Sequence, residues 1–148
     1  MSAGDVRVRG LAETLLSVAR TGDMDALAPL VTRMVGANGP QRHLFEPVLL
    51  ELVAMIVRIL RRRSEYADNE GDLYAVELLD ADDRDVGIDQ LQPALRATLR
   101  AVLATLNADA DDARFHVSLV SSDPDPLARL DAVAHALRWA NTLDDARG

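Results

Sequence analysis

The sequence predicts a mainly α-helical protein, with about five helices in a bundle-like domain and a possible small β-hairpin at residues 73–88. Apolar residues recur at helical spacing over several long segments. The 148 residues include only two Phe, one Trp and two Tyr, so Leu, Val, Ala, Ile and Met must fill the interior. That composition favours helix packing over a β-sandwich, which depends on aromatic and β-branched residues.

A chain of this length is most economically one domain with its own hydrophobic core. It divides into a helical part at residues 1–63, a polar loop or hairpin at residues 64–88 and a helical part at residues 89–148. The first helix is expected from Gly10 to Arg20 and the second over residues 24–35. Gly22 can take the left-handed conformation that ends a helix, and Asp23 can cap the next one. The two helices should therefore form an antiparallel hairpin.

The third predicted helix, from His43 to Arg63, is the most apolar segment of the chain. Apolar residues occupy 13 of the 17 positions from Leu44 to Leu60. A membrane span is not expected, because the run is shorter than about 20 residues and contains Glu51 and Arg58. A helix this apolar is buried on most of its faces. The other helices can surround it, one face can contact a second subunit, and the two interpretations do not exclude each other. The residues expected at such an interface are Leu49, Leu52, Val53, Ile56 and Leu60.

Capping residues and the spacing of apolar residues predict the elements after residue 88. Asp89, Gln92 and Pro93 are typical of the start of a helix, and the apolar stripe that follows extends to Leu106. Residues 114–120 fit either a helix or a strand that could join the hairpin, and we favour the helix. A last helix is expected from about Pro126 to Asn141. Its inward-facing residues should be Leu127, Leu130, Val133, Ala134 and Leu137.

Composition also bears on origin and location. All 16 basic residues are Arg, and Asp outnumbers Glu by 18 to 6, which is typical of a bacterium with a GC-rich genome. The chain has no Cys, and its N-terminus lacks the apolar core of a signal peptide. We therefore expect a cytoplasmic protein.

The net charge of −8 is divided unevenly, with +3 over residues 1–63 and −11 over residues 64–148. Such asymmetry favours association of the chain with itself or with another protein, and it disfavours nucleic acid.

Few residues of the sequence indicate a catalytic or ligand-binding site. Arg96 and Arg100 lie one helical turn apart, as do Asp131 and His135, so these four side chains could form a polar or anion-binding site between helices. The Asp-rich segment 107–118 has Asp112 and Ser118 where a calcium-binding loop requires Gly and Glu. No catalytic motif is present. We expect no cofactor and no metal, and an enzyme is not favoured.

The sequence therefore predicts a non-catalytic helical module for protein–protein interaction or regulation that associates with itself as a homodimer. The expected partner is a protein or a second copy, with no nucleic acid and no membrane. The alternative is a small-molecule-binding protein or minor enzyme that uses the pocket of Arg96, Arg100, Asp131 and His135. An accessory regulator of transcription that works through protein contacts is a third hypothesis.

Overall fold

A computed structural model describes residues 3–64 and 92–145. These residues form six α-helices and one turn of 3₁₀ helix, and no strand occurs among them. The prediction of a mainly α protein is confirmed. In chain order the helices are α1 (Ala3–Thr21), α2 (Met24–Val35), the 3₁₀ turn (Arg42–Leu44), α3 (Phe45–Ser64), α4 (Pro93–Leu106), α5 (Ala110–Ser121) and α6 (Pro126–Asp145). The predicted hairpin at residues 73–88 and the predicted cap at Asp89 lie outside the described residues.

The first two helices form the expected hairpin. Helix α1 begins at Ala3, well before the predicted start at Gly10. Gly22 takes the left-handed conformation, with φ of 75°, and ends α1. Asp23 caps α2, because its carboxylate accepts a hydrogen bond from the backbone N–H of Ala26 at 3.1 Å. The residues that separate the two helices thus have the roles that their chemistry predicts.

Helix α3 lies at the centre of the structure and packs against α1, α4, α5 and α6. Helix α2 packs against α1 and α6 on the outside. The polar side of α3 carries Glu51, which forms ion pairs with Arg58 at 3.5 Å and with Arg9 of α1 at 3.7 Å. No helix within residues 3–64 and 92–145 has the length and apolar character needed to cross a bilayer.

Residues 110–121 are helical, so the strand alternative for residues 114–120 is wrong. Asp109 caps α5 by accepting a hydrogen bond from the N–H of Asp112 at 3.1 Å. Ala113, Val117 and Val120 follow at helical spacing and are buried. Capping and packing on α4 therefore outweigh the alternation of apolar residues that suggested a strand.

Helix α6 presents a different face to the core from the one predicted. Val133 and Leu137 are buried as expected, whereas Leu127, Leu130 and Ala134 are exposed. The buried face contains Arg129, Ala132, Ala136, Trp139, Ala140 and Leu143 in addition. The side chain of Arg129 is thus buried on the inner face of α6, where only apolar residues were predicted.

Candidate functional site

The five α3 residues predicted to form an interface are core residues of the single chain. Leu49, Leu52, Ile56 and Leu60 are fully buried, and Val53 is 1 % exposed. The neighbouring helices α1, α4, α5 and α6 surround them. These side chains have no accessible surface to offer to a second subunit, so the first interpretation of α3, a helix enclosed by its neighbours, describes them. Any surface for association must be made by other residues.

The four residues of the predicted polar site do not line one cleft. Arg96 and Arg100 line a groove of about 260 Å³ between α4 and α5, together with His116, Leu119 and Asp123. We call it the α4–α5 groove. Asp131 and His135 lie on α6 and do not line this groove. The ring of His135 lies instead 6.1 Å from that of Trp139 on the same helix.

The histidine beside the α4–α5 groove contacts an acidic side chain of its own helix. The Nε2 atom of His116 lies 3.4 Å from a carboxylate oxygen of Asp112, one turn earlier on α5. The hydroxyl of Ser118 on the same helix donates to the carbonyl of Phe115 at 2.6 Å, so its proton is held within the helix. A carboxylate that orients an imidazole activates a nucleophile only if the nucleophile reaches the imidazole. The pair is thus a contact between two side chains on one face of α5.

Helix α5 carries two large exposed apolar side chains one turn apart. Phe115 is 56 % exposed and Leu119, one turn later, is 48 % exposed. Residues four positions apart share a face of a helix, so the two side chains form a single apolar strip. Acidic side chains precede this strip at Asp111 and Asp112. At its other end Leu119 borders the α4–α5 groove.

A second groove, of about 420 Å³, lies between α1, α3 and α6. Four arginines are among the residues that line it, namely Arg20, Arg58, Arg61 and Arg62, and we call it the arginine groove. Leu16, Met55 and Ile59 also line it, and no carboxylate of the described residues does so. The sequence shows the basic segment of residues 58–63, but the contribution of Arg20 from α1 depends on how the helices pack.

Two other arginines, which sequence reasoning missed, bind the ends of helices. Arg129 of α6 is 3 % exposed; its Nε donates to the carbonyl of Val35 at 2.8 Å and its Nη1 to the carbonyl of Asp123 at 2.6 Å. Arg42 donates to the carbonyl of Ser121. Val35 and Ser121 are the last residues of α2 and α5, where carbonyl groups lack partners within the helix. The two guanidinium groups therefore cap two helices and join them to the rest of the fold.

The proximity of these two arginines has an electrostatic cost. Burial, and secondarily the charge of Arg129, lower the pKa of the Arg42 guanidinium, while Glu46 acts in the opposite direction. An isolated charge in the interior would be strongly unfavourable, and hydrogen bonds to carbonyl groups compensate for it. The pair is therefore structural. One signal could have revealed it: Arg129 shares a helix face with Ala132, Val133 and Ala136.

Within residues 3–64 and 92–145, no group of three or more His, Asp or Glu side chains is placed to hold a metal ion. Comparison of the chain with models of protein families, with curated proteins and with solved structures finds no match.

Proposed function

We propose that this protein is a non-catalytic interaction module that associates with a second copy of itself through the exposed face of α5. The observation that carries the proposal is the apolar strip of Phe115 and Leu119. Burying large apolar side chains is the main favourable contribution to association, at about 25 cal/mol per Å² removed from water. Exposed apolar residues grouped on one helix face are typical of contact surfaces.

The charges around the strip favour a twofold contact between two copies of α5. Asp111 and Asp112 lie toward its N-terminal end, while the groove with Arg96 and Arg100 lies beside its C-terminal half. If two α5 helices pack antiparallel about the midpoint of the strip, between Phe115 and Leu119, the acidic end of each faces the end of the other copy's α5 that borders the groove of Arg96 and Arg100. A twofold interface must be complementary to itself in this way.

The charges are expected to orient the dimer more than to hold it together. Arg96 and Arg100 also interact within their own chain, so carboxylates of a second copy would add to existing partners. A contact made largely by one 12-residue helix per copy falls at or below the standard size of about 800 Å² per partner. We therefore expect a dimer of about micromolar affinity that survives moderate salt.

The test is the absolute mass in solution, measured by light scattering after gel filtration over a range of protein concentrations, at low and at high salt. The wild-type protein should approach the dimer mass as its concentration rises. The double variant Phe115→Ser/Leu119→Ser should remain a monomer with an unchanged helical circular dichroism spectrum. The matched control Val6→Ser/Met24→Ser also removes two exposed apolar side chains, from α1 and α2, and should dimerise like the wild type.

A wild-type protein that stays monomeric at every concentration would contradict the proposal. So would an α5 variant that dimerises as well as the control. A dimer that dissociates fully at high salt would contradict the apolar strip as its main source of affinity, because salt screens charges and strengthens apolar burial.

A further inference from the structure

The α4–α5 groove adjoins the apolar strip of Phe115 and Leu119. Leu119 belongs to the strip and also lines the groove. The ring of Phe115 lies against His116, another residue that lines the groove, with ring centroids 5.3 Å apart in an edge-to-face arrangement. A second copy that packs on the strip therefore also lies beside the groove.

The groove is small, and most of the residues that line it are apolar. Ala94 and Ala97 lie three residues apart on α4, so their short side chains share the helix face that lines the groove. Pro93, Leu119 and Val120 supply further apolar contact. The volume of about 260 Å³ lies below the range of about 300–1,000 Å³ that is typical of small-molecule pockets. The groove therefore suits one large apolar side chain better than a small-molecule ligand.

The register of the proposed dimer brings such a side chain to the groove. Helices α4 and α5 are joined by the short turn of residues 107–109 and pack closely, so they run antiparallel. The start of α4 thus lies beside the end of α5, and Pro93 and Asp123 line the same groove. When two α5 helices pack antiparallel about the midpoint of the strip, Phe115 of each copy faces Leu119 of the other, at the edge of its groove.

On the basis of the dimer proposed above, we propose that the α4–α5 groove of each copy receives the Phe115 ring of the other copy. An aromatic side chain that enters a pocket is a typical anchor of a protein interface. Arg96 and Arg100 line the same groove, and a guanidinium is attracted to the face of an aromatic ring. Both arginines also interact within their own chain, so the ring adds to contacts that exist already. The twofold symmetry produces two such insertions, and α4 thereby enlarges a contact that α5 alone leaves small.

The charge of the groove suits the segment that contains Phe115. Arg96 and Arg100 outnumber Asp123 among the charged residues that line the groove, so the described lining carries +1 with His116 counted as neutral. The residues at positions 111 and 112, about one turn before Phe115, are both Asp. A lining with net positive charge favours this acidic segment of a second copy over a basic segment.

The experiment measures isotope-filtered nuclear Overhauser contacts in the full chain, at a concentration at which it is dimeric. Copies that contain isotope-labelled Phe are mixed with unlabelled copies, so that only contacts between copies are recorded. Phe115 should contact the methyl groups of Ala94 and Ala97 of the other copy. The chain has only one other Phe, and that residue, Phe45, is fully buried and should show no contact between copies.

A variant that fills the groove provides the second measurement. Ala94→Leu places a larger side chain where the ring should enter, so the affinity of the dimer should fall by about tenfold or more in light scattering. The control Ala26→Leu makes the same change at an exposed position of α2 and should dimerise like the wild type. Circular dichroism checks that both variants remain helical.

Contacts of Phe115 with Leu119 of the other copy, but with neither Ala94 nor Ala97, would overturn the insertion into the groove and leave the dimer through α5 in place. An Ala94→Leu protein that dimerises as tightly as the control would have the same meaning. A wild-type protein that forms no dimer at any concentration would overturn the dimer itself, so the two proposals fail in different ways.

Discussion

The buried guanidinium of Arg129 provides a quantitative test of how α6 is fixed to the rest of the protein. Replacing Arg129 by Met preserves most of the side-chain volume and removes both hydrogen bonds, at 2.8 Å to Val35 and at 2.6 Å to Asp123. Each buried carbonyl left without a partner costs about 1–3 kcal/mol. Part of this cost is offset by desolvation. The guanidinium of Arg129, which is 3 % exposed, leaves water at a large free-energy cost when the protein folds, whereas an uncharged Met side chain avoids that cost. We therefore expect the free energy of unfolding to fall by about 2–4 kcal/mol.

Urea denaturation followed by circular dichroism measures this loss. The midpoint should fall while the slope with denaturant stays constant, which shows that the surface exposed on unfolding is unchanged. Arg129→Lys keeps the charge but lacks the planar fork that reaches two carbonyl groups, so it should fall between wild type and Arg129→Met. Arg33→Met, at an exposed position of α2, is the control and should change stability by less than about 0.5 kcal/mol. An Arg129→Met protein as stable as the wild type would refute the assignment of this side chain as a helix cap.

Two further predictions test α3 and α5. Leu52→Ala removes a fully buried side chain and should lower the free energy of unfolding by about 2–5 kcal/mol. Because Leu52 lies in the core of one chain, that loss should be the same at low and high protein concentration, whereas an interface residue would show a concentration dependence. Asp109→Ala removes the cap of α5 and should cost about 1 kcal/mol in thermal or urea unfolding. Asp109→Asn keeps an oxygen that accepts from the backbone and should cost much less; equal losses in the two variants would contradict the role of Asp109 as a cap.

Local chemistry made several elements predictable before any packing was known. Gly22 and Asp23 mark the turn between α1 and α2, and both act as predicted. Pro93 lies in the first turn of α4 as predicted, whereas Gln92, predicted inside that turn as part of a capping box, lies just outside the helix and makes no capping bond with its side chain. These signals depend on a few neighbouring residues, because glycine conformation, proline geometry and side-chain caps are satisfied within one turn.

Assignments that depended on which face of a helix meets which neighbour were less successful. The apolar residues of α3 indicated burial against other helices or a second subunit, and the residues predicted for the subunit interface pack against helices of the same chain. On α6 the leucines at 127 and 130 are exposed, while Arg129 between them is buried. Sequence spacing placed Arg96 and Arg100 on one face, and the fold adds His116 and Asp123 to them in place of Asp131 and His135.

By itself the sequence determined the helical class, the approximate helix positions and the cap at Asp23, since these follow from periodicity and from interactions over a few residues. Tertiary structure decided which surfaces remain exposed to solvent. Helix α3 is enclosed by its neighbours, whereas Phe115 and Leu119 of α5 are exposed. It also brought Arg20 of α1 beside Arg58, Arg61 and Arg62 of α3. The physical reason is that helix packing joins residues far apart in the chain through the crossing and rotation of whole helices, which no local pattern specifies.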